Sequence, residues 1–228
     1  NNDLVMWDNA TESLWQQILG EAIVGERAGS RLQVVPSSLV RWADFKQSFR
    51  DGEVLSRDTG IGIRYDAQPY VGYSSRSGPL FAQELDDRFP ALERVVGVNV
   101  GEAAKAYPFS LITETGVVND TLGGVPIVVF WGAADTADAL DRRDITESQG
   151  IGTGIAYHST VDGRALTFTK VGDETFADEQ TGTRWNILGL GVEGPLKSTQ
   201  LELAIHRNEF WFAWATFFPD GAVFDDQA

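Results

Sequence analysis

Two stretches of the chain share one apolar spacing. Trp42, Phe45 and Phe49 fall at i, i+3 and i+7, and so do Trp211, Trp214 and Phe218. That spacing lays aromatic rings along one face of a short helix, and an Asp-Gly pair closes each, at Asp51-Gly52 and Asp220-Gly221. Elsewhere the pattern is that of strands. Val125–Trp131 is an apolar run of strand length, and Gly154–His158 and Leu166–Thr169 flank a Val-Asp-Gly-Arg turn at 161–164, a hairpin signal. Ala104–Leu111 and Val117-Val118 lead to Asn119-Asp120 and then to Gly123-Gly124. From Asp51 to Pro90 the chain is rich in Gly, Ser, Asp, Arg and Tyr, which predicts long irregular loops with brief strands. Asp135–Glu147 reads as an acidic, solvated helix or loop.

The two aromatic helices belong to a longer match. Asp8, Thr11, Ser13 and Trp15 recur as Asp178, Thr181, Thr183 and Trp185, each 170 residues on. After a one-residue slip, Gly20, Gly25, Leu32, Trp42 and Phe49 recur as Gly189, Gly194, Leu201, Trp211 and Phe218. In each copy the Asp and Thr side chains are placed to bond nearby backbone amides, and the Trp to pack. The expected architecture is β-rich α+β: two related modules packed pseudo-symmetrically, each with a short aromatic helix. Residues 1–94 form the remainder of a first module plus an irregular connection, and 95–228 a complete second module. Trp15 and Trp185 are expected in equivalent, mostly buried positions. The first copy has only seven residues ahead of Asp8, so the chain is expected to begin inside that module, with Asp3–Trp7 paired to another strand.

Composition narrows the partners. With 228 residues, 43% of them hydrophobic, the chain can bury a core as one large domain or two small ones. It has no cysteine, hence no disulfide, thiolate metal site or Cys nucleophile. No apolar run is long enough for a membrane-spanning helix. Thirty-three acidic residues face eighteen basic ones, only four of them Lys, for a net charge of −15. That balance argues against nucleic acid, whose phosphates need clustered Lys and Arg. Many carboxylates with Arg preferred to Lys is also a halophilic profile, since salt screens self-repulsion at a Debye length of ~3 Å at 1 M.

The run LVMWDNATESLWQQILGEAIVG, the segment AKAYPFSLITETGVVNDTLGGVPIVVFW, and DEQTGTRWNILGLGVEGPL followed by FWFAWATFFPD together resemble domain-of-unknown-function family 3179. The resemblance covers nearly the whole chain. It implies an exported or envelope-associated protein; longer members carry an earlier copy of the Ala-Tyr-Pro…Gly-Gly segment with a Cys-Pro-x-Cys stretch. The matching place here, Phe130–Ala134, holds no Cys.

Candidate chemistry is sparse. Asp58-Thr59-Gly60 has the aspartic-protease tripeptide, but Ser56-Arg57 precede it and no second copy exists, so it reads as a turn. There is no Gly-x-Ser-x-Gly, and the Gly150–Gly154 run lacks the Lys-[Ser/Thr] of a phosphate loop. His158 and His206 lie in strand-like stretches: with Asp178 or Glu202 they could form a two-His metal site, or each serves its own sheet. Trp211 and Trp214 are candidate stacking residues for a flat ligand, though their helical spacing fits a core. Asp8, Thr11, Trp15, Asp178, Thr181 and Trp185 are read as structural. No cofactor is predicted. The expected function is a non-enzymatic, ligand-binding or structural module of an extracellular or cell-envelope protein, with a small ligand or another protein as partner. The alternatives are a metal-handling or redox protein whose thiols lie outside this chain, and a carboxylate-dependent hydrolase.

Overall fold

The computed structural model describes residues 3–62, 70–81 and 84–225. Asn1-Asn2 and residues 63–69 and 82–83 of the loop-rich connection lie outside the described residues. The chain is β-rich, with several small sheets and three short α-helices among those residues. In chain order the first group is β1 (Val5–Trp7), β2 (Leu14–Gln16), β3 (Glu21–Val24) and α1 (Trp42–Ser48). After the connection come β4 (Arg94–Val100), β5 (Ala103–Pro108), α2 (Phe109–Thr115), β6 (Val117–Leu122), β7 (Val125–Gly132) and β8 (Thr153–His158). Then follow β9 (Thr160–Val161), β10 (Arg164–Ala165), β11 (Phe168–Lys170), β12 (Thr175–Asp178), β13 (Arg184–Asn186) and β14 (Gly191–Glu193). The chain closes with β15 (Ile205–Phe210), α3 (Trp211–Phe217) and β16 (Ala222–Val223). Both aromatic helices form where the spacing predicts. The hairpin at 161–164 forms too, with Asp162 and Gly163 at φ of 50° and 77°, the left-handed pair that a two-residue turn requires. The connection corrects one expectation: its described residues hold a 3-10 turn at Tyr73–Ser75 and no strand.

Three sheets enclose the core. Strand order β15-β4-β5-β16 makes one, β6-β7-β8 a second, and β11-β12-β13-β14 a third. Between the first two lie Val96, Val98, Tyr107, Phe109, Ile127 and Trp131, all buried. Between the second and third, Phe130 stacks flat on Phe176 at 3.9 Å, and Phe168 meets Trp185 edge-on at 5.8 Å. The conspicuous motif residues join these layers. Asn119 on β6 pairs both its amide atoms with the Phe168 backbone, at 2.9 and 2.8 Å, clamping β11 to the middle sheet. Asp120 accepts from the Tyr107 hydroxyl and the Lys105 ammonium, each at 2.7 Å. α3 lies on β4 because Gly97 leaves room: a Cβ there would sit 2.2 Å from the Trp214 ring.

The first group is built thinly by comparison. β1, β2 and β3 form a separate three-stranded sheet, so Asp3–Trp7 is paired as expected, through Val5–Trp7 on β2. Its aromatic residues are not buried as expected. Trp185 is 0% exposed, whereas Trp15 is only half-buried and Trp7 is 61% exposed. The reason is cover: β11 and β7 close over Trp185, and none of the described strands closes over Trp15.

Candidate functional site

The Asp–Thr–Trp turns come first because sequence singled them out. Asp178 Oδ1 accepts from the Thr181 amide at 2.6 Å, and Oδ2 accepts from the Thr181 hydroxyl at 2.8 Å and from Trp185 Nε1 at 3.0 Å. Asp8 accepts from the Thr11 amide, the Thr11 hydroxyl and Trp15 Nε1 at 2.7, 2.7 and 2.8 Å. The bonds from Thr11 and Trp15 hold the Asp8 carboxyl well below the usual carboxylate range. Both carboxylates are thus occupied by their own turns and serve structure.

The other sequence candidates separate. Trp211 and Trp214 are buried at 0% and 1% exposure, so neither ring offers a solvent face for stacking. Arg88 covers the Trp211 ring at 4.9 Å. His158 ends β8, its backbone amide bonded to the Glu202 carbonyl, while His206 is buried on β15. Among the described residues no group of three or more His, Asp or Glu side chains is placed to hold a metal ion. His206 Nδ1 lies 2.8 Å from the Ala204 carbonyl, so it carries the proton and Nε2 accepts from the Ser38 hydroxyl at 3.3 Å. Burial pushes its pKa down, with the charge of Arg207 adding to that, which keeps the ring neutral.

His206 nevertheless lines a polar cleft. A cavity of about 270 Å³ lies between Ile18, Val35, Ser37 and Leu39 on one wall and His206–Glu209 on the other. β15 is an edge strand of its sheet, with β4 on one side only. The segment 34–41 is pinned across it by three contacts. Thr153 donates to the Leu39 carbonyl, Ser38 meets His206, and the Arg41 guanidinium bridges Asp44, Asp135 and Glu174.

Two groups in this cleft are chemically unusual. No hydrogen bond or ion pair from a described residue reaches the Glu209 carboxyl, and its pKa is pushed up to about 7. Burial is the main cause, repulsion from Asp3 adds to it, and Arg207 opposes both. Arg207 donates to Asn99 Oδ1 at 2.8 Å and has no carboxylate within ion-pair range among the described residues. On the opposite face of the strand, Asn208 Oδ1 is buried without a partner among the described residues. The cleft therefore presents a carboxyl near half-protonation and a guanidinium two residues apart on one strand. Sequence reasoning chose His206 and missed Arg207 and Glu209. The available signal was a His-Arg-Asn-Glu run inside a strand leading into an apolar helix, where polar residues are out of place.

Comparison with curated proteins and with solved structures finds no match. One family profile covers nearly the whole chain, residues 1–221. On that match the chain belongs to the family described as "Protein of unknown function (DUF3179)".

Proposed function

We propose that the chain is a small-ligand-binding module whose site is the cleft under β15. The observation that carries this reading is the Glu209 carboxyl, half-buried in a cavity wall with no hydrogen-bonding partner among the described residues, beside an Arg207 with no ion pair among them. A partly desolvated carboxyl left unpaired opposes folding, and such groups cluster at functional sites. A ligand with a hydrogen-bond donor for Glu209 and an acceptor for Arg207 satisfies both. Amino acids and small amino or hydroxy acids have that form. Calorimetric titration with a panel of these compounds tests it. The expected result is saturable binding that Glu209→Gln weakens at least tenfold; binding that ignores both Glu209→Gln and Arg207→Ala rejects this cleft as the site.

A second reading rests on the same carboxyl. A pKa of about 7 suits a general acid or base, which favours the carboxylate-dependent hydrolase. Hydrolysis of an ester or glycoside panel, with a rate that changes near pH 7 and is lost in Glu209→Gln, would replace the binding reading.

We also infer that the Asp8 and Asp178 turns descend from one duplicated unit, with the second module spanning 95–228. Matched bonding in both turns and like strand register support this. No described helix is long and apolar enough to cross a membrane. The acidic composition and the family resemblance support an extracellular or envelope setting, in a salt-rich habitat.

A further inference from the structure

β1 and β12 are built alike, register by register. Val5, Met6 and Trp7 pair with Gln16, Trp15 and Leu14, as Thr175, Phe176 and Ala177 pair with Asn186, Trp185 and Arg184. Both following strands bulge at the same place, between Leu14 and Trp15 and between Arg184 and Trp185. The Asp8 amide bonds the Ser13 carbonyl at 3.1 Å, as the Asp178 amide bonds Thr183. In an antiparallel pair the bonded residues alternate, so the backbone groups of Val5 and Trp7 point away from β2. On β12 the outward groups are taken by β11, with Phe168 opposite Asp178 and Thr169 opposite Ala177. On β1 they are taken by none of the described strands.

The side-chain face is open as well. A cavity of about 370 Å³ sits against Met6, Asp8, Thr11, Trp15 and Leu32. Leu32 is 49% exposed, while Leu201, its counterpart, is 2% exposed. In the second turn that volume is filled from β11, whose Phe168 ring meets Trp185 edge-on.

We propose that the free edge of β1 is a strand-addition site. Its occupant is an extended peptide segment running antiparallel to β1, with a phenylalanine-type ring opposite Asp8 that closes over Trp15. The second turn shows this occupant in place, on the same edge of the same construction. A second copy of the chain cannot supply it without loss. β11, the strand that plays this part in the second turn, is held on β12 by backbone bonds and on β6 by both amide atoms of Asn119. The segment is therefore none of the described strands. Backbone bonds along the edge give affinity and the ring gives specificity. This inference is independent of the cleft under β15.

The test uses a capped synthetic peptide of the sequence Arg164–Val171, titrated into the isotope-labelled chain and followed by NMR. The expected result is saturable change at the Val5 and Trp7 amides and the Trp15 indole N–H, lost at least tenfold when the peptide carries Phe168→Ala. Val5→Pro in the protein, which removes an outward amide and leaves the pairing to β2, is expected to abolish the Trp15 response while the other resonances stay folded. No change at these sites up to the solubility of the peptide overturns the proposal. So does change confined to Thr175–Asp178, which is exchange at β12. Concentration-dependent change in the same residues without peptide also overturns it, by making a second copy the occupant.

Discussion

Asp8 and Asp178 accept three matching hydrogen bonds from the same kinds of partner, yet Asp178 is 1% exposed and Asp8 lies in a half-open turn. The Trp residues they hold differ in the same sense. The turn is a local object: an acceptor, a hydroxyl three residues on and an indole seven residues on are enough to close it. Burial is not local. It depends on whether strands from elsewhere arrive on the open edge and the open face. On the Trp185 side β11 and β7 do, and on the Trp15 side no described strand does.

If that is the difference, truncating the two Trp residues separates them most widely. Trp185→Ala is expected to destabilise by about 3–5 kcal/mol, because a filled core site loses a large ring. Trp15→Ala is expected to destabilise by about 1 kcal/mol, since solvent already reaches that ring. Urea denaturation measures both, and equal losses would break the comparison.

Removing the acceptor comes next. Asp178→Ala strands a buried indole N–H and a hydroxyl, at a cost of about 2–3 kcal/mol. Asp8→Ala is expected to cost clearly less, because water can replace the turn acceptor that is lost. A double-mutant cycle with the matching Trp sharpens it: coupling is expected to be larger in the second turn.

The helices give a third contrast. Gly97→Ala drives a Cβ to 2.2 Å from the Trp214 ring, and overpacking of that kind costs about 1–3 kcal/mol. Trp42, the counterpart of Trp211, is 54% exposed, and Trp42→Ala is expected to stay within about 1 kcal/mol. Thermal melts at one pH are sufficient.

The smallest effects are those of pH, and they have opposite signs. Asp8 has a depressed folded pKa, so its stabilisation is present above its unfolded value near 4 and is lost as pH falls through the folded one. Glu209 has a raised one, so the folded chain holds an extra proton between about 4.3 and 7, and stability falls as pH rises through that window. Melting temperature against pH is therefore expected to flatten on the acid side in Asp8→Asn. In Glu209→Gln it is expected to flatten between pH 5 and 8.

Much of the fold was legible in these terms. The aromatic helices, the 161–164 hairpin and the bonding inside both turns are short-range consequences of spacing and side-chain type. The family membership was legible from the motif runs. Their physical meaning was not: that Asn119 clamps Phe168 across 49 residues, or that Asp120 collects Tyr107 and Lys105, follows only from sheet order. The candidate site was legible in one residue. His206 was chosen for being a rare histidine, but its neighbours Arg207 and Glu209 are unusual only because Ile18 and Leu39 close over them, and charged residues are common in a chain this acidic.

By itself the sequence determined the two aromatic helices, the 161–164 hairpin, the paired turns and the excess of negative charge, because each depends on residues a few positions apart or on composition alone. The tertiary structure alone decided which of two like-built Trp residues is buried, and which carboxyl rises to about 7 instead of falling. Both outcomes are set by desolvation, and desolvation depends on whatever distant chain packs over a group.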